Sequence, residues 1–137
     1  MNLSPYLGLS LITSLLLTPA LIAANPIQTV KFAPGTSGTT VKGSVIRGER
    51  SIYALGAKGG QTMALDLSSV ENNAVFQIYA PGARQKGDEI VGQTLPGAGE
   101  TDDASRWQGK LPRSGQYWVV VGGTRGNASY QLKISIR

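Results

Sequence analysis

The sequence predicts an all-β protein, an antiparallel β-sandwich of jelly-roll type with about eight short strands. Three observations carry this expectation. Apolar residues alternate with polar ones instead of recurring at helical spacing. Gly (18) and Pro (7) punctuate the chain throughout. The runs between them recur about every ten residues, the interval of a sandwich or barrel.

The strands follow in order. The first three candidates are residues 28–33, 40–47 and 51–56. "QTMALDL" (61–67) comes next, with Met63, Leu65 and Leu67 on one face and Thr62, Ala64 and Asp66 on the other. Residues 74–80 and 106–111 follow. "YWVVV" (117–121) is apolar on both faces, as in a central strand whose second face is covered by a loop or a partner. "SYQLKISIR" (129–137) alternates cleanly, with Tyr130, Leu132, Ile134 and Ile136 opposite Gln131, Lys133 and Ser135.

Turn chemistry separates these runs. "APGTSG" (33–38), "RGER" (47–50), "AKGGQ" (57–61), "APGARQKGD" (80–88) and "GGTRGN" (122–127) each place Gly or Pro where the chain reverses. "GAKGG" (56–60) lacks the Ser/Thr and helix start of a phosphate loop and reads as a hairpin turn. One loop, residues 87–105, is long enough to suggest a functional or mobile segment.

Residues 1–24 read as a cleaved secretory signal, with the cut after Ala24. They are uncharged, and the apolar stretch from Leu7 to Leu17 is too short to span a bilayer. Residues 25–137 then form one domain, with no membrane span left after cleavage. There is no cysteine, so neither a disulfide framework nor a lipidated cysteine is available. A periplasmic or secreted location suits both features.

The formal net charge is +5. The cations are scattered along the sequence instead of clustering among aromatics, which argues against nucleic acid as partner. With no histidine and no cysteine, Ser-His-Asp and Cys-His catalysis and His/Cys zinc sites are excluded. Asp88-Glu89 and the "ETDD" run (100–103) lie in the long Gly-rich loop, a poor scaffold for a two-carboxylate hydrolase. Glu100, Asp102 and Asp103 offer hard oxygens for Ca²⁺, but without the full ligand set of a calcium loop. The expectation is a non-enzyme without a cofactor or metal, acting through shape and contact.

"VKFAPGTSGTTVKGSVIRGERSIYALGAKGGQ", "VFQIYAPG" and "LPRSGQYWVVVGGTRGN" stand in an order that resembles the bacterial pre-peptidase C-terminal module. More particularly, the order is similar to that of the small periplasmic inhibitors of g-type lysozyme. That resemblance implies a loop bearing SG-x-Y inserted into a peptidoglycan-hydrolase cleft. Ser114 would offer its hydroxyl to the enzyme's catalytic acid. Arg125, on an adjoining loop, would pair with a cleft carboxylate. The residues carried across are Ser114, Gly115, Tyr117, Thr124 and Arg125. Tyr117 also suits a tyrosine corner, its ring inside and its hydroxyl on a backbone group. The alternative is a cell-wall polysaccharide-binding module, which implies an exposed aromatic platform of Trp107 and Trp118 on one sheet face.

Overall fold

A computed structural model describes Leu16 and residues 25–137 of the chain. The expected signal, residues 1–24, lies outside the described residues apart from Leu16. Among the described residues no helix is long and apolar enough to cross a membrane.

The described residues form ten strands: β1 (Ile27–Thr29), β2 (Gly38–Val45), β3 (Arg50–Ala57), β4 (Thr62–Ser69), β5 (Ala74–Tyr79), β6 (Arg84–Lys86), β7 (Glu89–Val91), β8 (Arg106–Lys110), β9 (Gly115–Gly123) and β10 (Ala128–Ile136). Eight of them make two four-stranded sheets, ordered β1-β3-β9-β5 and β2-β10-β4-β8. β6 and β7 pair with each other as a separate ribbon. All pairings are antiparallel except β1 with β3.

Every step between consecutive sandwich strands changes sheet. β3 and β4 are therefore not partners, and residues 57–61 form an arch between layers instead of the expected hairpin turn. The reason is physical. Alternation shows that one face of a strand is buried, but it does not say which strand supplies the hydrogen bonds.

The core lies between the sheets. Tyr53, Leu55, Phe76, Ile78, Val119 and Val121 face Met63, Leu65, Leu67, Leu132, Ile134 and Ile136. A second cluster sits on the outside of the first sheet. There Ile52, Tyr79 and Val120 pack against Ile90 of the β6–β7 ribbon, with Ala83 and Trp118 at its margin. This ribbon is the cover that the two-faced "YWVVV" strand requires.

The long loop is built into the same device. Residues 93–104 run back along the free edge of β5. The Phe76 amide donates to Ala104 O, Ile78 to Ala98 O, and Leu95 to Ile78 O, at 2.8, 3.0 and 2.9 Å. Leu95, Ala98 and Ala104 are buried in the main core. An open sheet edge invites pairing with other chains; here the loop occupies it.

Candidate functional site

Strand β9 decides the geometry of the site. Ser114 and Gly115 stand at its start, while Thr124 and Arg125 follow its end. Its register on β3 is fixed from Gly115 against Ala57 to Gly122 against Arg50. Nine strand residues at about 3.3 Å each hold the two groups about 30 Å apart. The sequence-based picture of two adjoining loops is thereby corrected: they lie at opposite ends of the sandwich.

The Ser114 end is a stapled corner. Gly60 donates to Leu111 O at 2.8 Å, and Leu111 donates to Gln61 O at 2.7 Å. The Lys58 amide donates to Gln61 Oε1 at 2.7 Å. Tyr117 is fully buried, and its hydroxyl donates to Arg113 O and accepts from the Arg113 amide. This is a tyrosine corner. Its ring offers nothing to a partner directly; it fixes the loop that carries Arg113 and Ser114.

Gly115 cannot be replaced without distortion. It has φ +144°, and an added Cβ would stand 2.7 Å from Pro81 Cβ. The Arg113 guanidinium closes the same corner by donating to Pro81 O at 2.6 Å.

Ser114 itself is exposed. Its Oγ accepts the Gly59 amide at 2.9 Å. One lone pair is thus engaged and the oxygen is held in place. Among the described residues its own proton has no acceptor, so it remains available to donate outward. Lys58 and Arg113, both exposed, flank it. The one ion pair among the described residues, Arg106 with Asp66 at 3.5 Å, lies elsewhere, on β8 and β4. The corner therefore presents a fixed hydroxyl donor, with Lys58 and Arg113 adjoining it along the chain, at Gly59 and at Ser114, and neither in an ion pair among the described residues.

The Arg125 end is built differently. The Thr124 amide donates to Asn73 O at 2.8 Å, and Asn73 Nδ2 donates to Asn127 O at 2.9 Å. Arg125 Nη2 reaches Glu71 O at 3.4 Å. Thr124 and Arg125 are exposed, but nothing brings them to Ser114.

The tryptophans do not form the platform that a polysaccharide module implies. Trp107 is on β8 of one sheet and Trp118 on β9 of the other. Trp107 is half-buried against the main core, its Nε1 donating to Pro96 O at 2.8 Å. Its ring covers Gly109, where a Cβ would meet it at 2.6 Å. Trp118 packs beside the second cluster. Within the acidic run, Asp102 Oδ2 accepts the Gly99 amide at 2.7 Å in a local turn. No group of three His, Cys, Asp or Glu side chains converges among the described residues.

No family model and no curated protein matches the sequence. Solved structures do. The chain is similar to PliG of Aeromonas hydrophila, a periplasmic lysozyme inhibitor of g-type lysozyme, with 33% identity and a TM-score of 0.62. The likeness covers 84% of this chain and 100% of that one. The chain belongs to the PliG family.

The PliG of Salmonella Typhimurium shares the fold at 23% identity and a TM-score of 0.58, over 81% of this chain and 97% of its own. The pre-peptidase C-terminal domain of a Bacillus anthracis collagenase shares it at 14% identity and a TM-score of 0.51, over 82% and 96%. Both resemblances read from the sequence therefore hold at the level of fold. Within this PliG-family chain, sequence reasoning missed Arg113 and Lys58 as neighbours of Ser114. Arg113 adjoins the SG-x-Y element, a local signal for it. Lys58 is distant in sequence and reaches the corner only through the arch.

Proposed function

We propose that this protein is a non-catalytic periplasmic inhibitor that blocks the cleft of a g-type lysozyme with the corner around Ser114. The observation that supports it is the immobilised, outward-donating Ser114 hydroxyl flanked by Lys58 and Arg113. A glycan hydrolase typically lines its cleft with carboxylates. A fixed O–H donor and two cations complement such a cleft, and hydrogen bonds to charged groups are the stronger kind. A rigid corner loses little conformational freedom on binding, so more of the contact energy appears as affinity.

In this reading Gly115 lets the chain turn beneath Pro81, and Tyr117 holds the loop from inside. Arg125 and Thr124 lie outside the contact. The test is lysis of a bacterial cell-wall suspension by a g-type lysozyme, followed by turbidity with increasing protein. Inhibition at micromolar concentration or below is expected. Ser114→Ala removes one charge-assisted bond, a loss of about 1.5–3 kcal/mol, and weakens inhibition about tenfold or more. Arg125→Ala leaves it unchanged. Absence of inhibition at micromolar protein, or dependence on Arg125 instead of Ser114, would remove the reading.

A further inference from the structure

The outer face of the β2-β10-β4-β8 sheet is open among the described residues, and folding gathers onto it cations that are scattered in the sequence. Side chains alternate in these strands, so the residues between the core positions of β2, β4, β8 and β10 point outward. Lys42, Lys133, Arg106, Lys110 and Arg137 are all on this side and exposed. Against them stands only Asp66, which Arg106 already pairs. Five side-chain cations against one side-chain carboxylate leave a local excess of four, in a chain whose whole excess is five.

The register gives the layout. Lys42 lies across from Gln131, and Lys133 from Asp66, with Arg106 beyond Asp66 on the edge strand. Strand separation and rise set Lys42, Lys133 and Arg106 about 8–10 Å apart along a diagonal of the sheet. Two shallow depressions lie along this line. One, of about 640 Å³, is bordered by Lys133, Asp66, Arg106 and Gln108. The other, of about 550 Å³, is bordered by Lys42, Ser68 and Gln131.

We propose that this face docks an anionic glycan, a polysaccharide carrying carboxylates at regular intervals. The cations meet the carboxylates. The amides and hydroxyls between them, Gln131, Gln108 and Ser68, are both donors and acceptors and so match sugar hydroxyls. The spacing of the cations suits a charge repeated at the step of a short sugar unit. Nucleic acid fits less well, because the face has no exposed aromatic ring on which a base could stack. A lipid surface fits less well too, because among the described residues Val70 is the one exposed large apolar side chain bordering the two depressions, too little to insert. The face is distinct from the Ser114 corner, so the two partners do not compete for the same residues.

The experiment uses polygalacturonate as the carboxylated probe, with uncharged dextran and a single-stranded oligonucleotide as further arms. Binding by the intact protein is measured at low salt by affinity electrophoresis or calorimetry. Polygalacturonate is expected to bind, dextran not, and the oligonucleotide at least tenfold more weakly. The double substitution Lys42→Glu, Lys133→Glu is expected to reduce polygalacturonate binding tenfold or more while inhibition of g-type lysozyme stays unchanged. No binding to polygalacturonate overturns the proposal. So does undiminished binding by the double variant, or equal binding of the oligonucleotide.

Discussion

Tyr53 and Tyr130 meet inside the sandwich, hydroxyl to hydroxyl, with rings edge to face at 6.5 Å. Gly43 makes room for the pair, since a Cβ there would stand 2.6 Å from the Tyr130 hydroxyl. Burial, and next the neighbouring Tyr130 hydroxyl, push the Tyr53 phenol well above its ordinary range. The sign of the pH effect follows. Below about pH 10 the phenol is protonated in both folded and unfolded chains, and its contribution to stability is complete. Above that pH the unfolded chain loses the proton while the folded one retains it, so stability falls as pH rises. Tyr53→Phe leaves the Tyr130 hydroxyl without its partner and should cost about 1–3 kcal/mol at pH 7. It should also make the alkaline decline shallower in urea titrations between pH 8 and about pH 11.5. An identical decline in both proteins would contradict this account. Tyr130 was legible as a core residue from its alternation in "SYQLKISIR". Its pairing with Tyr53 was not, because the two are brought together across the sandwich from distant parts of the chain.

At the scale of elements, the β6–β7 ribbon does for β9 what a second layer of structure would do. Ile90 is buried against Ile52, Tyr79 and Val120 on the outer side of the first sheet. Ile90→Ala should therefore lower unfolding free energy by about 2 kcal/mol in urea, the lower range for a buried truncation. A change below about 0.5 kcal/mol would be that of a surface residue and would contradict the packing. The need for a cover was readable in "YWVVV", whose two faces are both apolar. The cover itself was not. Arg84–Lys86 and Glu89–Val91 are three residues each, too short to show a period, and five of the six are charged or polar or exposed. Seven of the eight principal strands were legible with boundaries close to those found, because each buries one face; β1 is exposed throughout and covers only Ile27–Thr29 instead of the expected 28–33. The long loop reads in sequence as a candidate functional or mobile segment; in the structure residues 93–104 shield the edge of β5.

At the scale of the molecule, the changes of sheet at every connection fix what the two ends can present. Ser114 and Arg125 are eleven positions apart, and short spacing suggests proximity when a strand is not counted. Here the intervening chain is nearly all extended, so spacing becomes distance. The same layering carries Lys58 to Ser114 through the arch and gathers scattered cations onto one outer face. None of these placements can be read from a single strand, because each depends on which layer the next strand joins. The central claim is that the protein meets a g-type lysozyme through the Ser114 corner. Amide hydrogen exchange of the protein with and without saturating g-type lysozyme tests this most directly. Added protection is expected at residues 58–61 and 111–116, with none at 123–127. Protection confined to 123–127, or no change at the Ser114 corner, would contradict it.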